Sequence, residues 1–230
     1  MSDDPQWILP TLQRPHNLAR LVESYSDVGE EGASVSVLVY YADPFIDSYL
    51  AIELPPTWTL CVENFRFTAT DAMRWLVKGF PTAQCYGFLG DDVVFRTKWW
   101  ERLAGAAGDW CVSWPADGVQ NEGLPTHFVC GGKLVRTVGY WALPGIVHSG
   151  VDLVWYVLGM NVRGLLQYCP DVEFEHMHPL VEKGEHDEIY QFARDALPKD
   201  SDVFLEWNGG TGLRDDVKLI HEAILNEQAA

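Results

Sequence analysis

Basic residues are scarce: 16 Lys and Arg stand against 33 Asp and Glu in 230 residues, a formal charge of −17. A pI near 4.6 disfavours a protein that coats nucleic acid or an anionic membrane through bulk charge. Cysteine is sparse and unclustered. Cys61, Cys85, Cys111, Cys130 and Cys169 are single residues with no C-x-x-C pair, which argues against a disulfide framework and for a reducing, cytoplasmic setting. Nowhere do about 18 apolar residues run together, so no membrane-spanning helix is expected. The opening Met1-Ser2-Asp3-Asp4-Pro5 is acidic, unlike a secretory leader. Three nucleotide and nucleophile signatures are also missing. Without G-x-x-x-x-G-K-[ST] a P-loop nucleotidase is disfavoured; without G-x-G-x-x-G after the first strand, so is a dinucleotide oxidoreductase. The lack of G-x-S-x-G counts against an α/β-hydrolase.

What is present is core-forming material, 47% hydrophobic and 13% aromatic residues, enough for one sizeable domain. Trp7-Ile8-Leu9 reads as a strand stopped at Pro10. Pro15 suits a first helical position, and Leu18, Leu21, Val22 and Tyr25 follow at helical spacing. Ser34–Tyr41 is a near-continuous apolar strand, as in a parallel sheet covered on both faces. After Ala42-Asp43-Pro44 a helix can start; Thr57–Val62 reads as a strand, Thr68–Val77 as a helix and Cys85–Leu89 as a strand. This β-α-β-α-β-α-β order predicts a doubly wound, mostly parallel sheet flanked by helices. Ligands of such sheets sit beyond the carboxyl ends of the strands. Thr11–Arg14, Asp43, Asn64–Arg66 and Asp91-Asp92 all follow strand ends, so they are expected on one rim.

The second half reads as mixed α+β. Asp109–Trp114, His127–Cys130 and Val172–His176 look like strands; Lys133–Tyr140, Ser149–Met160, His186–Leu197 and Leu213–Asn226 look helical. Pro115–Pro125 reads as a surface loop. The expected organisation is a single domain with a ligand-binding half at 6–108, an acceptor and metal half at 109–180, and a lid loop with closing helices at 181–230.

Four groups of residues carry chemistry. Asp91 and Asp92 leave a buried strand together, which a divalent cation would compensate; capping the next helix is the plainer role. His176 and His178 in Glu175-His176-Met177-His178-Pro179 would project from one face of a strand. Imidazole plus carboxylate suits Mn²⁺ or another first-row ion, although either ring is equally a hydrogen-bonded structural histidine. Ser149-x-x-Asp152 resembles a capping box, and Asp152 is also placed to act as a general base. Gly131-Gly132 allows close backbone approach or a positive φ. Arg14 and Lys183 are candidate phosphate contacts, and Trp99, Trp100 and Trp141 suit a core better than a sugar platform.

In their order, Ile8-Leu9-Pro10-Thr11, Gly90-Asp91-Asp92, Val138-Gly139-Tyr140-Trp141 followed by Gly150-Val151-Asp152-Leu153, and the His176/His178 segment resemble GT-A-fold glycosyltransferases of the small bacteriophage and bacterial type. The resemblance covers residues 6–180. It implies a GT-A-like, Rossmann-like sheet and transfer of a sugar, hexosyl or pentosyl, from a nucleoside-diphosphate donor such as a UDP-sugar. Pro10, Thr11 and Arg14 would lie at the nucleotide end, Asp43 would meet the base, and Asp91 with Asp92 would occupy the place of the D-x-D metal motif; Arg66, after the third strand, joins Lys183 as a candidate donor contact. Asp92 would bind Mn²⁺ or Mg²⁺ with His176 or His178, and Asp152 would take the acceptor-side acidic position. The acceptor would carry a hydroxyl: a hydroxymethylated pyrimidine of phage DNA, modified in the host cytoplasm, or a small molecule or glycan. Gly90 stands where many members carry the first acid of D-x-D, and Val151 where inverting members carry Glu. A nucleotidyltransferase on a similar sheet and a catalytically degenerate binding module are the alternatives. A duplex acceptor would need Arg96, Lys98 and Arg102, or Lys133 and Arg136, to gather into a basic patch.

Overall fold

A computed structural model describes residues 3–184 and 186–229; Met1 and Ser2 of the acidic opening lie outside them. The first half alternates as expected: β1 (Gln6–Pro10), α1 (Pro15–Asp27), β2 (Val35–Tyr40), α2 (Ile46–Leu50), β3 (Trp58–Glu63), α3 (Ala69–Gly79) and β4 (Cys85–Phe88). Pro15 opens α1, where its missing N–H leaves no bond unmade. Thr68 caps α3 in a reciprocal capping box with Asp71. Strands β3, β2, β1 and β4 lie side by side and parallel.

The second half adds β5 (Val93–Phe95), α4 (Trp100–Ala107), β6 (Val112–Ala116), β7 (Val129–Gly131), α5 (Gly132–Val138), α6 (Val151–Asn161), β8 (Leu166–His176), α7 (Glu188–Gly209) and α8 (Gly212–Gln228). The full sheet runs β3-β2-β1-β4-β7-β6-β8-β5. Pairs β4–β7, β6–β7 and β5–β8 are antiparallel, while β6–β8 is parallel with an irregular register after Pro115.

Helices cover both faces. Trp7, Leu9, Val37 and Val39 point into a core with Leu18, Leu21 and Leu103; Ile8 and Leu38 point to the other, with Met73, Leu76, Val154 and Trp155. This alternation explains the unbroken apolar run of β2, because both sets of side chains are buried. Trp99 and Trp141 are core residues, as expected, while the half-buried indole of Trp100 donates to the carbonyl of Glu31.

Trp7 faces Gly87 across the β1–β4 pair. A Cβ on Gly87 would sit 1.9 Å from the indole ring, so the absent side chain is the space Trp7 fills. Gly87→Ala is expected to cost about 1–3 kcal/mol through overpacking, read as a lower midpoint in a thermal melt. Gly131 and Gly132 also serve close approach, but to protein. Their Cβ positions lie 2.2 Å from the backbone of Asp109 and 2.1 Å from that of Ala83, and neither has a positive φ.

Among the differences from expectation, β5 and α4 have no counterpart in the sequence reading. β5 has only three residues, too few for a periodic signal. β8 begins at Leu166 rather than at 172. α7 continues past Leu197 and through Pro198. A proline inside a helix costs about 3 kcal/mol; here the distal turns are anchored by buried Asp200 and Trp207, and Trp207 donates its indole N–H to Asp216 of α8.

Candidate functional site

The carboxyl ends of β1 and β4, the start of α3, the β6–β7 loop, the start of α6, the end of β8 and the first turn of α7 surround one cavity of about 550 Å³. That is an ordinary size for a ligand site. Pro10, Thr11, Arg14, Arg66, Asp91, Asp92, Asp152, His176 and His178 all line it. Nine of the eleven proposed site residues therefore meet in one place, most of them from strand ends and Asp152 from a helix start.

The two exceptions have local reasons. Asp43 is buried, but its carboxylate accepts from the backbone N–H of Gln13 and Phe45 at 2.7 and 2.9 Å; it organises the strand ends instead of facing the cavity. Lys183 donates to Glu175 at 2.7 Å beside a second groove that also holds Arg96 and Asp117. The stretch 179–187, where a lid loop is expected, contains Glu185, which lies outside the described residues.

Asp91 and Asp92 do different work. Asp91 accepts from the Thr11 hydroxyl at 2.8 Å and from Arg14 at 3.2 Å. Burial pushes its carboxyl up to about 6, against the pull of Arg14. Asp92 is also pushed up by burial, but its contacts with His176 outweigh this and hold it well below the usual carboxylate range. Its Oδ2 accepts from the Tyr190 hydroxyl at 2.5 Å and lies 3.4 Å from His176 Nε2. Burial lowers His176, yet Asp117 and Asp92 prevail and raise it to about 9.

Asp92, His127 and His176 each offer a ligand atom, all within 4.8 Å of one another. His127 was not anticipated. It is a lone histidine after a proline-rich turn, adopts a left-handed φ of 50°, and carries no local signal. Burial lowers it to about 4; Nδ1 accepts from Gly90 N–H at 3.2 Å, and buried Nε2 has no partner among the described residues. His127 also explains Gly90. A Cβ there would fall 2.6 Å from Asp92 Oδ1 and 2.9 Å from the His127 ring, so the imidazole stands where the side chain of an acid would need to go. Imidazole and carboxylate suit Mn²⁺ and related first-row ions, so Asp92 and His176 fit a divalent cation; His127 joins them only on releasing Gly90, because accepting that N–H at Nδ1 leaves the ring proton on Nε2. The His178 ring stacks edge-on against His176 and Tyr190, at 5.0 and 5.1 Å, on the cavity wall outside that trio.

Helix α7 closes the cavity. Asp187 caps it and grips Arg14 with two bonds of 2.5 and 2.6 Å; the guanidinium lies 4.6 Å over the Tyr190 ring. Burial lowers Arg14, but Asp187 and Asp91 reverse this and raise it, so the charge is permanent. Further along, buried Asp200 accepts from the backbone N–H of Val147, His148 and Ser149 at 2.7–2.9 Å, fixing the loop that leads to Asp152. No capping box forms there: Gly150 is the N-cap of α6, with φ 88°. Asp152 accepts from Leu153 N–H, and burial pushes its carboxyl up.

No family model matches the sequence, and no curated protein matches it. Solved structures do. Glucosyl-3-phosphoglycerate synthase from Mycobacterium tuberculosis, with Mn²⁺, UDP and phosphoglyceric acid, superposes with a TM-score of 0.57 at 11% identity over 89% of this chain and 78% of that one. GalNAc-T7 with UDP, GalNAc and Mn²⁺ gives 0.56 at 10% identity, over 75% and 43%. TarS of S. aureus with UDP gives 0.53 at 10%, over 74% and 59%. The fold is the GT-A fold. In GT-A terms, the parallel strands β3-β2-β1-β4 form one half and the mixed strands β7-β6-β8-β5 the other. The chain spans 43% and 59% of the length of GalNAc-T7 and TarS. Among the described residues no helix is long and apolar enough to cross a membrane.

Proposed function

We propose that the chain is a divalent-cation-dependent glycosyltransferase that moves a sugar from a nucleoside diphosphate, UDP by preference, to a hydroxyl of an acceptor. The observation that carries this reading is the meeting of Asp92 and His176 with buried, charged Arg14 and with Asp152 around one cavity. When bound, the ion supplies Lewis-acid stabilisation of the charge that grows on the leaving diphosphate. Asp92 and His176 would hold it, with His127 beside them, and Arg14 would bind a phosphate oxygen. Pro10, Thr11 and Arg66 border the nucleoside end, and Asp152 takes the proton from the acceptor hydroxyl. Asp187 now occupies Arg14 with two carboxylate oxygens, the same demand a phosphate would make. Donor binding therefore displaces the first turn of α7, and segment 179–187 with that turn acts as the lid that keeps water from the donor.

The acceptor is an uncharged or small hydroxyl compound in preference to duplex DNA. Of the cations a DNA-binding patch would need, Arg96 pairs with Glu175, Arg102 with Asp171, and Lys133 with Asp109 and Glu227. Arg136 is spent on the carbonyls of Pro81 and Ala83. A free hydroxymethylated pyrimidine nucleotide keeps the phage-type reading open to test, and five unpaired cysteines fit a reducing cytoplasm.

Incubation with a panel of nucleotide sugars and Mn²⁺ is expected to release free nucleoside diphosphate, with release abolished by EDTA. Calorimetry showing no binding of any nucleoside diphosphate in the presence of Mn²⁺ would overturn the reading. Release of pyrophosphate from a nucleoside triphosphate would support a nucleotidyltransferase instead.

A further inference from the structure

Asp117 belongs to none of the expected site residues and sits in a loop that reads as a surface turn. It is nonetheless 1% exposed. One carboxylate oxygen, Oδ1, accepts from the backbone N–H groups of Val119, Gln120 and Asn121 at 2.9, 2.7 and 2.9 Å. The other, Oδ2, accepts from the Thr126 hydroxyl at 2.9 Å and lies 3.1 Å from His176 Nδ1. The backbone N–H of His176 also donates to the Asp117 carbonyl at 3.2 Å. Strand end and loop are thus locked together at the imidazole whose Nε2 lies 3.4 Å from Asp92.

Oδ2 has no proton to offer, so Nδ1 of His176 must donate to it. The opposite nitrogen, Nε2, is the one 3.4 Å from Asp92. We propose that Asp117 is a positioning residue for the cation: it keeps a proton on Nδ1 of His176, so that Nε2 presents its lone pair to an ion shared with Asp92. A carboxylate behind a ligating imidazole fixes the ring's orientation and raises its basicity. The arrangement selects His176 over His178 as the strand's ligand. It also gives the loop 115–125 a task that its composition conceals. The inference rests on the transferase reading only in taking Asp92 and His176 as the ion's ligands.

Asp117→Asn tests it through donor direction. Three backbone donors pin the remaining oxygen at the Oδ1 position, so the amide nitrogen falls at Oδ2 and donates to Nδ1. The imidazole proton moves to Nε2 and blocks coordination. Binding of Mn²⁺ alone to the full chain, followed by electron paramagnetic resonance, is expected to weaken about 10- to 100-fold. The melting midpoint in EDTA reports whether the fold survived. A second measurement needs no variant. In the wild-type chain loaded with ¹¹³Cd²⁺, scalar coupling is expected on Nε2 of His176 while Nδ1 keeps its proton. Unchanged Mn²⁺ affinity in a folded Asn variant, or cadmium coupling at Nδ1 or absent from His176, would overturn the proposal. Donor turnover by the wild type beside an unaffected Asn variant sinks this inference alone. Weakened Mn²⁺ binding in a chain that takes no nucleoside diphosphate sinks the transferase reading alone.

Discussion

Asp92→Ala is expected to abolish cation-dependent binding of a nucleoside diphosphate and to lower sugar transfer about a thousand-fold, the several kcal/mol a Lewis acid contributes to a charged transition state. Asp92 is the only carboxylate of the trio with His127 and His176, and the neighbouring Asp91 cannot replace it. Asp91 is turned away, held by Thr11 and Arg14. The fold should tolerate the change. Removing one of two adjacent buried acids relieves repulsion on Asp91, whose carboxyl burial and Asp92 together push up. The offsetting loss is the acceptor for Tyr190 and His176. Calorimetry with Mn²⁺ and UDP, product release, and a melt in EDTA measure the three parts. Full activity in Asp92→Ala would remove the cation from the reaction.

The parallel half of the sheet was legible because every element in it announces itself locally. Pro15 starts a helix, Thr68 caps another, and Ser34–Tyr41 is apolar on both faces. Strand direction in the second half was not legible, since pairing β4 with β7 antiparallel depends on contacts between distant residues. The length of β8 was hidden by its polar residues and by an irregular register against β6. For the site, one rule did most of the work: polar residues after buried strands meet at a rim. It brought Asp43 to the rim but not into the cavity, because its short side chain takes backbone N–H groups close by; Lys183, a candidate phosphate contact outside this rule, has Glu175 within reach at the end of β8. His127, Asp117, Asp187 and Tyr190 escaped for a different reason. Each comes to a cavity residue or to the cavity wall from a loop or helix whose path is set by packing, so no spacing in the chain betrays it. Gly90 was read as a departure from the family pattern; beside His127 it becomes a steric complement.

Asp152→Asn is expected to lower transfer about 10²–10⁴-fold, the usual contribution of a positioned proton acceptor, while leaving Mn²⁺ and nucleoside diphosphate affinity intact. The residue borders the cavity at the first turn of α6, apart from the residues that fit the cation. Its Oδ1 accepts from Leu153 N–H, which favours the ionised form, but burial prevails and raises the carboxyl above its ordinary value. A base of raised pKa accepts a hydroxyl proton with less driving force lost, provided it is still ionised at the working pH. The sign follows: wild-type kcat/KM should fall as pH drops through that raised value, and the Asn variant should lose this acid limb along with the rate. Donor hydrolysis without an acceptor separates the roles, because Arg14, Asp92 and His176 remain. A variant that keeps hydrolysis but loses transfer identifies Asp152 as the acceptor's base. A variant that loses nothing would return Asp152 to a helix-start carboxylate and leave another group on the acceptor side, with half-buried His148 on the same wall, to take the proton.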